Sequence, residues 1–250
     1  MSSDRPDTRL LRFGERITAA AGAQSDRNRS VLRPSVGRGR LASGLPLHLA
    51  AAGLIGSALP ADAFIVDISM GQTAVYLQVG NGSFSGLYGS GGTPLDNGTV
   101  NRVSLTVPAA VLGNGAEQSM TSNSTQAASF YDGFTFCNPP TEVYVGGFYR
   151  RPNTTNQSAV LSVEVPAALT SAASDTISFA QIRWTSSGNG DGSAAQPIPA
   201  GTFVAGSTQF LANFRRNSWR ESCLTFYYLN DQIVPAGSYT GRVVYTLATP

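Results

Sequence analysis

From about residue 64 to the end of the chain, apolar and polar residues alternate with a period of two in short runs, and no stretch repeats its apolar residues at helical spacing. Val103, Leu105 and Val107 fall on one side of a run whose other side is Ser104 and Thr106. Leu161, Val163 and Val165 alternate with Ser162 and Glu164 in the same manner. Successive side chains of an extended chain point to opposite faces, so each run predicts a strand with one face buried. The same reading predicts strands over residues 64–69, 74–79, 129–136, 142–148, 176–184, 223–229 and 238–247. Stretches rich in Gly, Asn and Ser divide them at 80–98, 113–124, 151–158 and 186–199. Short strands separated by turns, with no helix between, predict an all-β fold, an antiparallel immunoglobulin-like β-sandwich over residues 64–250. In the last strand, Tyr239, Val243, Tyr245 and Leu247 share one face and are expected to point into the core.

Two local echoes add detail. Residues 103–111 and 161–169 both read as a strand stopped by a proline (Pro108, Pro166), which cannot donate to the ladder, and 198–203 resembles 234–239. The spacings, 58 and 36 residues, disagree, so no solenoid is predicted.

The pattern changes upstream. Arg38 and Arg40 precede an apolar run over residues 45–59 that ends in Ala61-Asp62-Ala63, the three parts of a secretory signal peptide. Residues 36–63 are therefore read as that signal, with cleavage between Ala63 and Phe64. A spanning helix needs ~20 apolar residues. This run is shorter and is broken by Gly53, Gly56 and Pro60, so no membrane span is expected after cleavage. Residues 1–35 scatter seven Arg among Ser, Asp and Gly with little apolar periodicity. They are predicted to be a disordered leader, with translation starting within 36–41. Residues 1–40 carry nine Arg against four acids (+5), whereas residues 64–250 carry eight Arg against ten acids (−2). The basicity belongs to the leader, and no nucleic-acid partner is predicted for the exported domain.

Past residue 63 there is no His and no Lys. General bases, Schiff-base amines and most transition-metal ligands are therefore missing, and a non-enzyme without cofactor or metal is expected. Cys137 and Cys223 in an exported chain predict one disulfide. The remaining catalytic option is a carboxylate pair, but the ten acids stand singly with no motif pairing two of them. The loop 189–193 (Asn-Gly-Asp-Gly-Ser) has oxygen ligands at alternate residues but lacks the closing Glu of a calcium loop. Most aromatics are needed for the core. In Tyr227-Tyr228 one ring must face outward, and Trp184, beside the long loop, is the candidate ligand-contact aromatic.

The ending Val234-Pro-Ala-Gly-Ser-Tyr-Thr-Gly-Arg-Val-Val-Tyr-Thr-Leu, preceded by Trp219, Cys223, Phe226 and Tyr228, resembles the tails of uncharacterised secreted immunoglobulin-like β-sandwich proteins of Gram-negative bacteria. It is more distantly similar to fimbrial and spore-coat-U-type subunits. Gly237, Tyr239, Val243, Tyr245 and Leu247 match the last-strand pattern of pilins assembled by the chaperone–usher route. Thr249 stands where those pilins usually have Tyr, and the cysteines lie farther apart than a pilin pair. The resemblance implies an exported structural or adhesive subunit, periplasmic or at the cell surface, with a protein or glycan partner or self-assembly. A lectin-like module using Trp184 and a carboxylate-based glycosidase are the alternatives. A self-complete sandwich is expected. In a donor-strand subunit, one strand would be missing and filled by residues 64–68 of a neighbour.

Overall fold

Alternation makes two-faced strands, and the described residues arrange them as two packed sheets. The computed structural model describes residues 11–21, 65–95, 97–152 and 156–250, the first of these as backbone. The strands of three or more residues are β1 (Leu11–Ala21), β2 (Ile65–Asp67), β3 (Ala74–Val79), β4 (Asn101–Val107), β5 (Val143–Arg150), β6 (Ser158–Val165), β7 (Ala168–Thr170), β8 (Thr176–Ser178), β9 (Ile182–Ser187), β10 (Ser207–Arg215), β11 (Ser218–Tyr228) and β12 (Ser238–Ala248). Sheet one runs β8-β7-β12-β1-β4, with β6 also on β12 and β10 beyond β6; sheet two runs β9-β11-β5-β3, with β2 on the N-terminal end of β11. All of these pairings are antiparallel except β1 with β4. No helix among the described residues is long and apolar enough to cross a membrane.

The inner faces of the two sheets meet in one core. From sheet one come Val103, Leu161, Val163, Tyr239, Val243, Tyr245 and Leu247; from sheet two come Leu77, Val79, Val145, Leu224, Phe226 and Tyr228. The four residues expected to bury one face of the last strand are all buried. Each side chain of this size contributes roughly 1.5–3 kcal/mol on leaving water.

Sheet two departs from the half-buried pattern. β5 is buried at every residue from Val143 to Tyr149, and β11 at most of its length. The outer face carries a second cluster, Tyr76, Phe148 and Trp219, covered by Phe84, Tyr88, Phe130 and Tyr131 from two loops. Backbone N–H groups of Tyr88 and Gly89 donate to the carbonyls of Phe130 and Tyr131, joining those loops to each other. The Cys137–Cys223 disulfide, flanked by Phe136 and Tyr144, pins the second loop to β11.

Several predicted elements change accordingly. Residues 129–136 form a covering loop with one isolated bridge, Ala128↔Thr135, because their rings cap the outer face of sheet two and do not join a ladder. Residues 176–184 break at a 3-10 turn, Phe179–Gln181, where the Ser178 hydroxyl accepts from the Ala180 N–H. β10 is absent from the sequence reading. A register shift at Leu161/Ser162 places Phe210 and Ala212 opposite successive β6 residues, so Phe210 is 58% exposed while Leu211 and Ala212 are buried, and the bulge erases the period of two. β2 pairs with β11 of its own chain. Leu11–Ala21, within the segment read as a disordered leader, forms β1.

Replacing Cys137 with Ala releases the covering loop from β11 and opens a long closed loop in the unfolded chain. A stability loss of about 2–5 kcal/mol is expected, read as a lower urea midpoint in equilibrium unfolding.

Candidate functional site

The place of β1 in sheet one is the most consequential feature for function. It runs antiparallel to β12 through ten register positions, from Leu11↔Leu247 to Ala20↔Ser238. It runs parallel to β4 through seven, from Glu15↔Asn101 to Ala21↔Val107. No described pairing joins β12 to β4 directly, so β1 alone satisfies the two edges that face each other. An interior backbone group left without a partner costs about 1–3 kcal/mol, and an unpaired strand edge is a template for another strand. Behind this slot lie the buried Tyr239, Val243, Tyr245 and Leu247, and the residues at the facing β1 positions are Ala19, Glu15, Phe13 and Leu11. The slot is thus one strand wide and backed by apolar core.

A second unusual group lies under the outer face of sheet two. Trp219, Glu221 and Cys223 occupy alternate positions of β11 and share that face, and all three are fully buried. The Oε2 of Glu221 accepts from the Tyr144 hydroxyl at 2.5 Å, the Trp219 indole N–H at 2.9 Å and the Ser129 hydroxyl at 3.0 Å. Its Oε1 is buried without a partner. Gly146, opposite Glu221 in the register, makes the arrangement possible. A Cβ there would stand 2.4 Å from the Tyr144 hydroxyl oxygen and 2.8 Å from the Glu221 Cβ. Burial pushes the Glu221 carboxyl up to about 7, against the opposing pull of its three donors. Burial, and then the neighbouring Glu221, hold the Tyr144 hydroxyl well above its ordinary range.

The sequence candidates distribute as follows. Cys137 and Cys223 are bonded. Their sulfurs lie within 4.8 Å of a Glu142 oxygen, but disulfide sulfurs have no thiolate to offer a metal. Trp184 is 3% exposed, packs on Phe203 at 4.9 Å and donates its indole N–H to the Pro199 carbonyl at 2.9 Å, so it is a core residue and not a ligand contact. In the loop 189–193, Asp191 turns inward and accepts from the Gln196 amide at 3.1 Å. Tyr228 is buried while Tyr227 faces out beneath the Arg183 guanidinium, as alternation requires. The proposed cleavage point at Ala63 and Phe64 lies outside the described residues.

Among the scattered acids of the sequence, Glu221 stands singly like the rest. The signal that identifies it is its position between Trp219 and Cys223 at a spacing of two, because a face that buries an indole and a disulfide must also bury the carboxyl between them. Searches of protein-family models, curated proteins and solved structures return no match to the chain.

Because folding raises the Glu221 carboxyl from its ordinary value of 4.5 to about 7, folding retains a proton that the unfolded chain releases in that interval. Its contribution to stability is fully present below about 4.5 and is lost as pH rises to about 7, a fall of about 3 kcal/mol. Urea midpoints across this range should show the decline in the native protein. Glu221→Gln, which has no proton to lose, should flatten it.

Proposed function

We propose that this chain is an exported, non-catalytic structural or adhesive subunit whose processed domain accepts a partner's strand between β4 and β12. The single observation carrying this reading is that the slot is filled by Leu11–Ala21, a segment on the N-terminal side of the predicted signal sequence. Signal cleavage at Ala63 separates that segment from the domain that is exported. The domain then retains two facing strand edges and an apolar floor without the strand that covers them. A strand supplied by another chain satisfies both through backbone hydrogen bonds and alternate side chains.

Sequence reading favoured a self-complete sandwich, and the full chain is self-complete only through β1. Residues 64–68, the donor segment expected for a donor-strand subunit, overlap β2, which is engaged with its own β11 over three residues. Non-catalytic work is supported by the missing His and Lys. It is also supported by Glu221, the acid with the most perturbed carboxyl, which has no access to solvent and no paired carboxylate.

The test compares residues 64–250 with the full chain. The shorter form should be less stable or self-associated, and a synthetic peptide of residues 11–21 added in trans should raise its melting temperature, whereas a scrambled peptide should not. A cooperative, monomeric 64–250 domain indifferent to the peptide would refute the proposal.

A further inference from the structure

The outer face of sheet two carries a cleft of about 910 Å³, remote in the fold from the slot in sheet one. Tyr76 and Phe148 line it from the buried side, and Tyr88, Tyr131 and Arg150, all partly exposed, form its walls. The Tyr88 ring lies 4.7 Å from Phe148 and 5.2 Å from Trp219, and the Tyr131 ring lies 5.8 Å from Trp219. Packing of this kind holds two aromatic walls in place before any ligand arrives, which lowers the entropy lost on binding.

One guanidinium, that of Arg150, stands beside these rings. Arg150 donates to the Gln72 carbonyl at 3.3 Å and to the Tyr88 hydroxyl at 3.4 Å, and has no carboxylate partner among the described residues. The register Ser218↔Tyr149 sets the β10–β11 turn beside the end of β5, and the Arg151 N–H donates to the Asn217 side chain at 2.9 Å. Two arginine pairs far apart in sequence, Arg150-Arg151 and Arg215-Arg216, thereby converge near Arg220. Five of the eight arginines of residues 64–250 collect in one region, where Asp67 pairs with Arg215. Of this group only Arg150 lines the cleft, with Asp67 at its edge, so the cleft itself offers one guanidinium to a ligand.

We propose that the cleft binds an acidic glycan, with sugar rings laid on Tyr88 and Tyr131 and a sugar carboxylate on Arg150. The C–H face of a sugar ring matches an aromatic face, the tyrosine hydroxyls and Asp67 meet hydroxyl groups, and guanidinium pairs with carboxylate through two parallel hydrogen bonds. A nucleic acid fits less well, because a polyphosphate calls for a continuous basic track, whereas Asp67 stands at the rim of a net-negative domain. An acidic peptide would use Arg150 but makes no use of the flat ring surface beside it.

Titration calorimetry on the full chain tests this with a short oligogalacturonide, the neutral oligogalactoside of equal length, oligoglutamate and oligothymidylate. The oligogalacturonide should bind at least about tenfold more tightly than the other three, and added salt should weaken it. Arg150→Gln and Tyr131→Ala should each lower that affinity by about tenfold or more, and Arg242→Gln on β12 should leave it unchanged. Melting curves establish that each variant is folded. No binding of the oligogalacturonide, equal binding by oligoglutamate or oligothymidylate, or full affinity in folded Arg150→Gln would overturn the proposal. None of these results depends on the strand slot, because β4 and β12 contribute nothing to the cleft.

Discussion

Burial of β11 on both faces is the constraint on which the rest of the structure depends. Its inner residues Leu224, Phe226 and Tyr228 join the core between the sheets, while Trp219, Glu221 and Cys223 face a second interior. A strand in this position needs cover on the side that an ordinary sandwich leaves to water. Two glycine- and aromatic-rich loops supply it, joined to each other through backbone hydrogen bonds and to the strand by the disulfide. The deep position of Glu221, the room left by Gly146 and the aromatic cleft at the margin of the loops all follow from that single layer.

The same physics of unsatisfied groups governs sheet one. β12 and β4 are long strands that face each other across a gap one strand wide, and a gap of that kind has no stable empty form in water. The full chain closes it from within, using β1. On the reading proposed above, an exported form without its leader takes the closing strand from another chain.

Electrostatics separate the two surfaces. The slot is backed by aromatic and aliphatic core and is completed through backbone hydrogen bonds, which any extended chain can make. The cleft instead sets one guanidinium, Arg150, beside the rings of Tyr88 and Tyr131. The slot strands and the cleft lining belong to different parts of the fold and share no residue.

Period-two alternation and the absence of helical spacing determined the all-β sandwich, and the lone pair of cysteines determined the disulfide. Alternation also determined which side chains of 238–247 enter the core. Those features are local, because strand faces follow from the pleat of the chain alone. What alternation could not reveal depended on contacts between distant residues. β10 was hidden by a bulge that disrupts the period, residues 129–136 share the alternation of a strand but serve as a lid, and Trp184 lies in the core against Phe203 and not at a surface. The convergence of Arg150-Arg151 with Arg215-Arg216, and the insertion of Leu11–Ala21 between β12 and β4, came only from strand register. Register is settled by how whole sheets pack and which edges remain to be paired, and no short stretch of sequence carries that information.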